Sequence, residues 1–446
     1  MANYVERPRF SCALAGALTT VTALPRGIPI LHASPGCAGN AAWTQLGGGG
    51  LQTGGYCATL SVPSSNIQEN EVVFGGAERL REQLKHTLDV IDGDIYVVIT
   101  GCVPAMIGDD VAAVVREFQS ERRPLLLTET GGFKGNSYVG YDQVLQTLCR
   151  DFIERNVPRV KGHVNLWGIV PSWDPFWRGN LAGVRLLLEK LGLKVNSFFT
   201  HRDKVSKIRK AASAELNIVV SDLYGVGAAQ LFESLHGTPY INLPLPVGPS
   251  ASAEFLAQVG ARLSLPASRV KRVIAKEQKG YFAHLQTLAD VYTDMDLQRY
   301  AIVIGDVNYG ASLPRFLAQD LGWLCELVVH TDPVSEDARP SLAARQNTID
   351  ASIRPRVVFE PDTSRIQEHV QALRPKQNGG KYTDTFSPAF VVGSSLDRPV
   401  ATSLGAPHLS VSFPVANRAV LDRGYTGYEG GLRLTEDLLS AIVASR

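Results

Sequence analysis

The sequence predicts an α/β protein made of three Rossmann-like domains, in which parallel sheets are flanked by helices. Short apolar runs alternate with helical stretches of roughly 10–15 residues, a pattern typical of parallel sheets. The alternation restarts twice, so we expect domains over residues 1–160, 161–295 and 296–446. With 446 residues and a hydrophobic content of 45%, the chain is long enough to give each domain its own core.

Charge and hydropathy narrow the classes of partner. The chain has 44 Lys and Arg against 43 Asp and Glu and lacks a basic stripe, so we expect no binding to nucleic acid or to a membrane surface. Its first residues, MANYVERPRF, lack the apolar segment of a secretory signal, and no apolar run reaches the ~18 residues of a membrane helix. We therefore expect a cytoplasmic protein whose six cysteines are ligands or packed thiols rather than disulfides.

Hydrophobic periodicity gives the order of elements. Leu80, Leu84 and Leu88 repeat at helical spacing, and Asp109 and Asp110 favour the start of a helix that ends near Phe118. The predicted strands are Ile28–Leu31, Ile95–Thr100, Pro124–Thr128, Val164–Val170, Lys194–Phe199, Leu216–Val220, Arg299–Asp306, Cys325–His330, Arg356–Phe359, Phe390–Gly393 and His408–Phe413. The other predicted helices are Glu69–Ile91, Val139–Asn156, Asn180–Leu191, Ala228–Leu235 and Ser312–Leu321.

Three cysteines stand at the ends of these elements. Cys37 lies in a Ser-Pro-Gly turn after the first strand, Cys102 follows Ile95–Thr100, and Cys12 precedes Cys37 by 25 residues. Because loops at the carboxyl ends of parallel strands meet at one sheet edge, these thiols are expected to converge. Soft thiolates select iron–sulfur clusters or zinc, and a buried structural cysteine is the alternative for each residue.

The other cysteines and the glycine-rich segments give weaker indications. Cys57 follows a glycine turn and is a candidate ligand, a thiol beside the ligands or a packed residue, whereas Cys149 and Cys325 are expected in the core. The stretch Gly305–Gly310 is not GxGxxG, and the glycines of Gly47–Gly55 lack the Lys of a P-loop. We therefore expect no nucleotide site in this chain.

Six stretches resemble the β-type (K) chain of nitrogenase component 1. They occur in the family's order and span nearly the whole chain, so the resemblance implies the nitrogenase component 1 fold. The stretches are Phe10–Gly16, Leu31–Cys37, Glu69–Gly76, Ile99–Asp110, Gly132–Asp142 and, at the carboxyl terminus, Ser412–Arg418 with Gly424–Gly431.

The resemblance implies a metal centre shared between unlike chains. Cys12, Cys37 and Cys102 match the three K-chain cysteines that hold half of an eight-iron, P-type iron–sulfur cluster at the interface with the α-type (D) chain. Gly132 aligns with a serine that is an additional ligand in molybdenum nitrogenase, and glycine has no side chain to offer. The catalytic iron–sulfur cofactor of the family sits in the D chain, and the segment Ser412–Gly431 contains no histidine, so no catalytic residue is assigned to this chain.

The resemblance also implies partners and an activity. The chain is expected to form a D2K2 heterotetramer and to relay electrons from a transiently bound, ATP-dependent reductase of the nitrogenase iron-protein type. Phe74 aligns with an aromatic position at which K chains meet that reductase, and a core phenylalanine is the alternative. His32 is a candidate hydrogen-bond donor to a cluster sulfide, with a loop histidine bonded to backbone as the alternative.

Departures from nitrogen-fixing K chains bear on the substrate. Ala33 and Pro35 stand where those chains tend to have Gly and Gln, Ala41–Ser65 is rich in glycine, and the lead before Cys12 is short. These features resemble the group that includes methylthio-alkane reductase, which cleaves methyl thioethers to methanethiol and a hydrocarbon. The alternatives are the K subunit of an iron-only or vanadium nitrogenase and an N-type cofactor-assembly scaffold. A metal-free, periplasmic-binding-like sensor is a further alternative, of another class.

Overall fold

The apolar runs form parallel strands, and polar caps start the helices between them. The computed structural model describes residues 4–52, 56–58, 61–120, 123–374 and 388–445. The strands are β1 (Gly27–His32), β2 (Ile95–Thr100), β3 (Leu125–Glu129), β4 (His163–Trp167), β5 (Lys194–Asn196), β6 (Leu216–Val219), β7 (Tyr240–Asn242), β8 (Tyr300–Gly305), β9 (Leu324–His330), β10 (Arg356–Phe359), β11 (Ala389–Gly393) and β12 (His408–Ser410).

The helices cover the sheets and fill the spaces between them. They are α1 (Ala13–Ala23), α2 (Pro35–Gly48), α3 (Glu69–Phe74), α4 (Ala77–Val90), α5 (Cys102–Ile107), α6 (Val111–Phe118), α7 (Ser137–Thr147), α8 (Trp177–Lys190), α9 (Val205–Arg209), α10 (Val226–His236), α11 (Gly248–Arg262), α12 (Ala267–Gln286), α13 (Ala289–Asp294), α14 (Val307–Arg315), α15 (Arg339–Ala344), α16 (Thr363–Leu373), α17 (Arg398–Ser403) and α18 (Gly427–Ala444).

The strands pair into three parallel sheets, which confirms the predicted fold class. Their strand orders are β1-β2-β3, β5-β4-β6-β7 and β10-β9-β8-β11-β12. In the first sheet His32 pairs with Thr100, and Thr100 pairs with Glu129, so the carboxyl ends of all three strands are level. The segments that follow these strands therefore start side by side.

Burial explains why the sheets are stable. Every residue of β1 and β2 is buried, as expected for parallel strands covered on both faces. The largest hydrophobic cluster includes residues from all three sheets, among them Val97, Trp167 and Val303. The sheets thus share one core, while the domain boundaries near 160 and 295 stay a prediction.

Local chemistry accounts for several helix starts. The carboxylate of Asp110 accepts a hydrogen bond from the amide of Ala113 at the start of α6, and Asp306 accepts from the amide of Asn308 at the start of α14. None of the helices in the described residues is long and apolar enough to cross a membrane.

The structure differs from the predicted helix over Glu69–Ile91. The helix is interrupted between α3 and α4 because Gly75 adopts a φ of 93°, a conformation that glycine adopts without strain. The predicted helix Val139–Asn156 begins and ends earlier, since its last turn closes at Phe152. The helices α11 to α13, which lie between residues 240 and 295, were not predicted from the sequence.

Candidate functional site

The cysteine-bearing segments lie at the carboxyl edge of the first sheet. Cys37 follows β1, Cys102 follows β2, and Gly132 follows β3. The last residues of these three strands are level with one another. Cys12 reaches the same edge from α1, because the amide of Ala13 donates to the carbonyl of Gly135 at 2.9 Å. The topology therefore assembles residues 120 positions apart in sequence, from 12 to 132.

Each of the three cysteines stands at the beginning of a helix. Cys12 is the N-cap residue of α1, Cys37 is the third residue of α2, and Cys102 is the first residue of α5. The positive end of a helix dipole favours an anionic thiolate over a neutral thiol. These positions suit cysteines that act as ligands. The sequence predicted that Cys102 lies in a loop after β2, whereas it is the first residue of α5.

Gly132 lies between two of the thiols. Its amide donates a hydrogen bond to the sulfur of Cys102 at 3.0 Å. A Cβ atom at Gly132 would stand 3.0 Å from that sulfur and 3.3 Å from Cβ of Cys12, closer than ordinary contacts allow. A side chain at this position therefore requires Cys12 and Cys102 to shift by a few tenths of an ångström.

Electrostatics link the third thiol to the other two. Burial raises the pKa of Cys37, and the nearby thiolates of Cys12 and Cys102 raise this pKa further. Three thiolates so placed repel one another, and bound cations would relieve that repulsion. The donor set thus fits a cationic iron–sulfur centre, although among the described residues no three His, Cys, Asp or Glu side chains close around a single ion.

Solvent exposure separates these cysteines from the rest. Cys12 is exposed, and Cys37 and Cys102 are partly exposed. By contrast, Cys149 and Cys325 are buried in the core as expected.

Cys57 packs against the first sheet. Its side chain is 3% exposed and lies in the hydrophobic cluster that contains Ile28 and Leu80, with its sulfur donating to the carbonyl of Ser61 at 3.1 Å. Burial raises the pKa of Cys57. The structure therefore places Cys57 as a packed thiol; the neighbouring glycines at 54 and 55 lie outside the described residues.

Both ring nitrogens of His32 are bonded to other side chains, which differs from both sequence interpretations of this residue. The ring is fully buried at the end of β1, with Nδ1 3.1 Å from the hydroxyl of Ser65 and Nε2 3.1 Å from the carboxylate of Asp109. Burial lowers the pKa of His32 despite the attraction of Asp109. His32 is a buried histidine bonded to side chains, neither a sulfide donor nor a loop residue bonded to backbone.

Phe74 forms an exposed apolar corner at the end of α3. Its side chain is 86% exposed, and that of Val73 is 72% exposed, which excludes the core interpretation. Glu71 and Glu78 lie beside the ring on the walls of a shallow surface depression, together with Arg79, and Glu78 is paired with Arg81. An exposed aromatic ring with a charged, carboxylate-rich rim is typical of a protein-binding surface.

A second polar cluster, which the sequence analysis did not predict, is buried in the shared core. Asp174 accepts hydrogen bonds from the hydroxyl of Tyr309 at 2.9 Å and the amide of Asn180 at 2.7 Å. Asp332 accepts from Tyr224 at 2.5 Å, and Asp306 caps α14. Burial raises the pKa of Asp174 to about 7 and also raises the pKa of Asp306. The pKa of Asp332 is raised to about 7 by burial and by repulsion from Asp306.

Comparison with solved structures defines the class of fold. The chain superposes on a structure of nitrogenase Cp1 at pH 6.5 with a TM-score of 0.79, covering 100% of this chain and 94% of that one at 18% identity. The chain belongs to the family of nitrogenase component 1 type oxidoreductases, whose match extends over residues 12–443.

The curated relatives include nitrogenase beta chains, a nitrogenase alpha chain and cofactor biosynthesis proteins. The chain is 23% identical to the nitrogenase molybdenum-iron protein beta chain of Azotobacter vinelandii, and the match covers 98% of this chain and 84% of that protein. It is 24% identical to the nitrogenase iron-iron protein beta chain of Rhodobacter capsulatus, and that match covers 98% of this chain and 94% of that protein. It is 26% identical to the cofactor biosynthesis protein NifE of Nostoc sp., covering 60% of this chain and 54% of that protein. The chain thus spans about half the length of its NifE relative and most of the length of the beta chains.

Proposed function

We propose that this chain is the β-type subunit of a nitrogenase-like reductase complex, in which Cys12, Cys37 and Cys102 hold half of a P-type iron–sulfur cluster. The observation that carries the proposal is the convergence of three thiols, at helix starts, on one sheet edge. Thiolates are the usual ligands of iron–sulfur clusters, and partial exposure is compatible with a second set of ligands from another chain. When bound, such a cluster would supply one-electron redox chemistry.

The surface beside the thiols supports an interfacial location. Phe133 follows Gly132 and is 66% exposed, and Met106, on the same helix as Cys102, is 69% exposed. Large apolar side chains beside partly exposed ligands are suited to burial against another protein. We assign this face to the α-type partner in a D2K2 heterotetramer.

The carboxyl-terminal segment supports placing the catalytic cofactor in the partner chain. The hydroxyl of Thr426 donates to the carbonyl of Asn180 at 2.8 Å, and the amide of Tyr425 donates to the side-chain carbonyl of the same residue at 2.8 Å. A Cβ at Gly424 would lie 2.2 Å from the backbone of Gly179. Tyr425 and Thr426 thus dock this segment on α8, while Arg418 and Arg423 pair with Asp437 on α18. The segment contains no cysteine or histidine, the soft ligands that could hold such a cofactor.

Electrons would enter at the corner formed by Val72, Val73 and Phe74. We assign this corner to the docking of an ATP-dependent reductase, whose contact face should be basic around an apolar centre to match the carboxylate rim. The residues of this chain would bind and orient that reductase next to the edge that carries Cys37 and Cys102.

The best candidate activity is that of a methylthio-alkane reductase. Two electrons and two protons would convert a methyl thioether into methanethiol and a hydrocarbon, with the electrons delivered by the reductase. The support is the departure of the Cys37 loop from nitrogen-fixing K chains. The K subunit of an iron-only or vanadium nitrogenase is the second candidate, supported by the match over 98% of this chain to an iron-iron protein beta chain.

A scaffold for cofactor assembly is the third candidate, since NifE proteins are among the relatives. A scaffold surrenders its cofactor to another protein, whereas a reductase keeps it through turnover. Three clustered cysteines favour the reductase, because scaffold relatives of this type usually provide fewer.

The test is to purify the chain with its α-type partner without oxygen and supply the reductase, ATP and a methyl thioether. We expect iron and acid-labile sulfide in the complex, and release of methanethiol and a hydrocarbon. Reduction of dinitrogen without thioether cleavage would select the second candidate, and transfer of the cofactor to another protein would select the third. A colourless protein without iron would contradict the whole proposal.

A further inference from the structure

A buried carboxylate ties the Phe74 corner to the cysteine-bearing segments. The side chain of Asp109, in the short connection between α5 and α6, is 4% exposed. Its Oδ1 accepts the amide hydrogen of Gly76 at 2.8 Å, and its Oδ2 lies 3.1 Å from Nε2 of His32. One carboxylate therefore joins three segments that are far apart in sequence.

On one side, the carboxylate is joined to both cysteine segments. His32 ends β1 and precedes Cys37 by five residues, and its carbonyl accepts the amide hydrogen of Gly101 at 2.8 Å. Gly101 directly precedes Cys102. A carboxylate only accepts hydrogen bonds, so Nε2 of the neutral imidazole carries the proton and Nδ1 faces the hydroxyl of Ser65.

On the other side, the carboxylate holds the corner that carries the exposed ring. A Cβ at Gly76 would stand 2.6 Å from Oδ2 of Asp109 and 3.2 Å from Cε1 of His32, so the chain after Phe74 packs directly on this pair. The hydrogen bonds are part-buried around a side chain that is itself 4% exposed, so water can replace them only in part. Phe74 is therefore fixed relative to the sheet edge through Asp109.

We propose that Asp109 is a positioning residue that holds the reductase-docking corner in register with the Cys37 and Cys102 segments. This inference rests on the proposed function. Asp109 touches neither the reductase nor the thiols; it fixes the geometry between them. Small displacements of a docked partner lower the rate of a transfer step far more than they lower binding.

The experiment compares Asp109→Ala with Phe74→Ala in the purified complex, titrated with the reductase under turnover. For Asp109→Ala we expect turnover at saturating reductase to fall by about tenfold, with less than about a twofold change in the reductase concentration for half-maximal turnover. For Phe74→Ala we expect the opposite result: the reductase concentration for half-maximal turnover should rise, and turnover at saturating reductase should change little. Asp109→Asn, which keeps the shape and one acceptor oxygen, should restore a large part of the turnover. If the alanine variant does not fold, Gly76→Ala tests the same contact, because its Cβ would lie 2.6 Å from Oδ2 of Asp109, and it should also lower turnover at saturating reductase.

The controls separate positioning from simple loss of structure. Asp110→Asn changes the adjacent, exposed N-cap residue of α6, whose acceptor role asparagine retains, and should behave like wild type. Iron content and the electron paramagnetic resonance spectrum without reductase should be unchanged in Asp109→Asn. Wild-type turnover in Asp109→Ala, or a loss of turnover in proportion to lost iron, would overturn the inference. Absence of iron or of reductase-dependent turnover in the wild-type complex would instead contradict the proposed function.

Discussion

The amide of Gly132 donates a hydrogen bond to the sulfur of Cys102 at 3.0 Å. The contact joins the segment after β3 to the first residue of α5, and it leaves little space for a side chain at position 132. The same contact therefore fixes the sulfur of Cys102 relative to the segment that follows β3.

Gly132→Ala should therefore deplete the cluster. The new Cβ would lie 3.0 Å from the sulfur of Cys102 and 3.3 Å from Cβ of Cys12, so at least one thiolate must move. We expect loss of most of the cluster iron, measured per heterotetramer after anaerobic purification. Gly280→Ala is the matched control, because a Cβ there meets nothing within 4 Å and α12 lies elsewhere. Full iron content in Gly132→Ala would show that the thiols of Cys12 and Cys102 do not act together.

Phe74→Ala should weaken the reductase complex while leaving the fold intact. A ring near the centre of an interface contributes about 1–3 kcal/mol to binding, which corresponds to a several-fold or larger rise in the half-saturating reductase concentration. The ring is 86% exposed, so the melting temperature should hardly change. Phe282→Ala, at a ring that is 53% exposed on α12, is the control and should leave both quantities unchanged. A lower melting temperature with unaltered reductase affinity would rule out docking at Phe74.

The charged residues around Phe74 should make binding of the reductase sensitive to salt. If the carboxylates of Glu71 and Glu78 face basic groups of the reductase, raising the ionic strength should weaken binding chiefly by slowing association. Glu71→Gln combined with Glu78→Gln should reduce that dependence, as measured by association rates from low to high salt. An unchanged salt dependence in the double variant would place the reductase elsewhere.

Asp174 predicts a loss of stability with rising pH. Its pKa is about 7 in the folded protein, against 3.8 for an ordinary aspartate, so the folded state holds a proton that the unfolded state has released. This contribution is complete below pH 3.8 and is lost as the pH rises towards 7, by about 1.4 kcal/mol per pH unit. Asp174→Asn should show a flatter dependence of the melting temperature between pH 5 and pH 7 than wild type. The exposed Asp422→Asn should keep the wild-type slope, and equal slopes in wild type and Asp174→Asn would contradict the assignment.

The sequence was a good guide wherever a short pattern determines the structure. The apolar runs Ile28–Leu31 and Ile95–Thr100 became fully buried parallel strands, because such runs have few alternatives to the inside of a sheet. The carboxylate of Asp110 marked the start of α6 for the same local reason. The placement of Cys37 just after β1 followed from the sequence, but the expected turn is the start of α2.

Features that depend on distant partners were missed or wrong. The hydrogen bonding of His32 depends on Asp109, which is 77 residues away in the sequence. No local sequence pattern connects the two residues. The break after Phe74 likewise depends on Gly76 packing against that carboxylate. The buried carboxyl of Asp174 depends on Tyr309, 135 residues further along the chain. Such contacts come from tertiary packing, which overrides local propensity.

The most direct test of the account is the iron content of Cys12→Ala, Cys37→Ala and Cys102→Ala, each purified with the α-type partner without oxygen. Each variant should lose cluster iron and alter the electron paramagnetic resonance signal, because no other cysteine of the described residues lies at this edge to replace the lost thiolate. Cys149→Ala and Cys325→Ala, at thiols buried elsewhere in the core, are the matched controls and should retain the wild-type iron content. Wild-type iron and unchanged spectra in all three edge variants would contradict the assignment of the cluster to these cysteines.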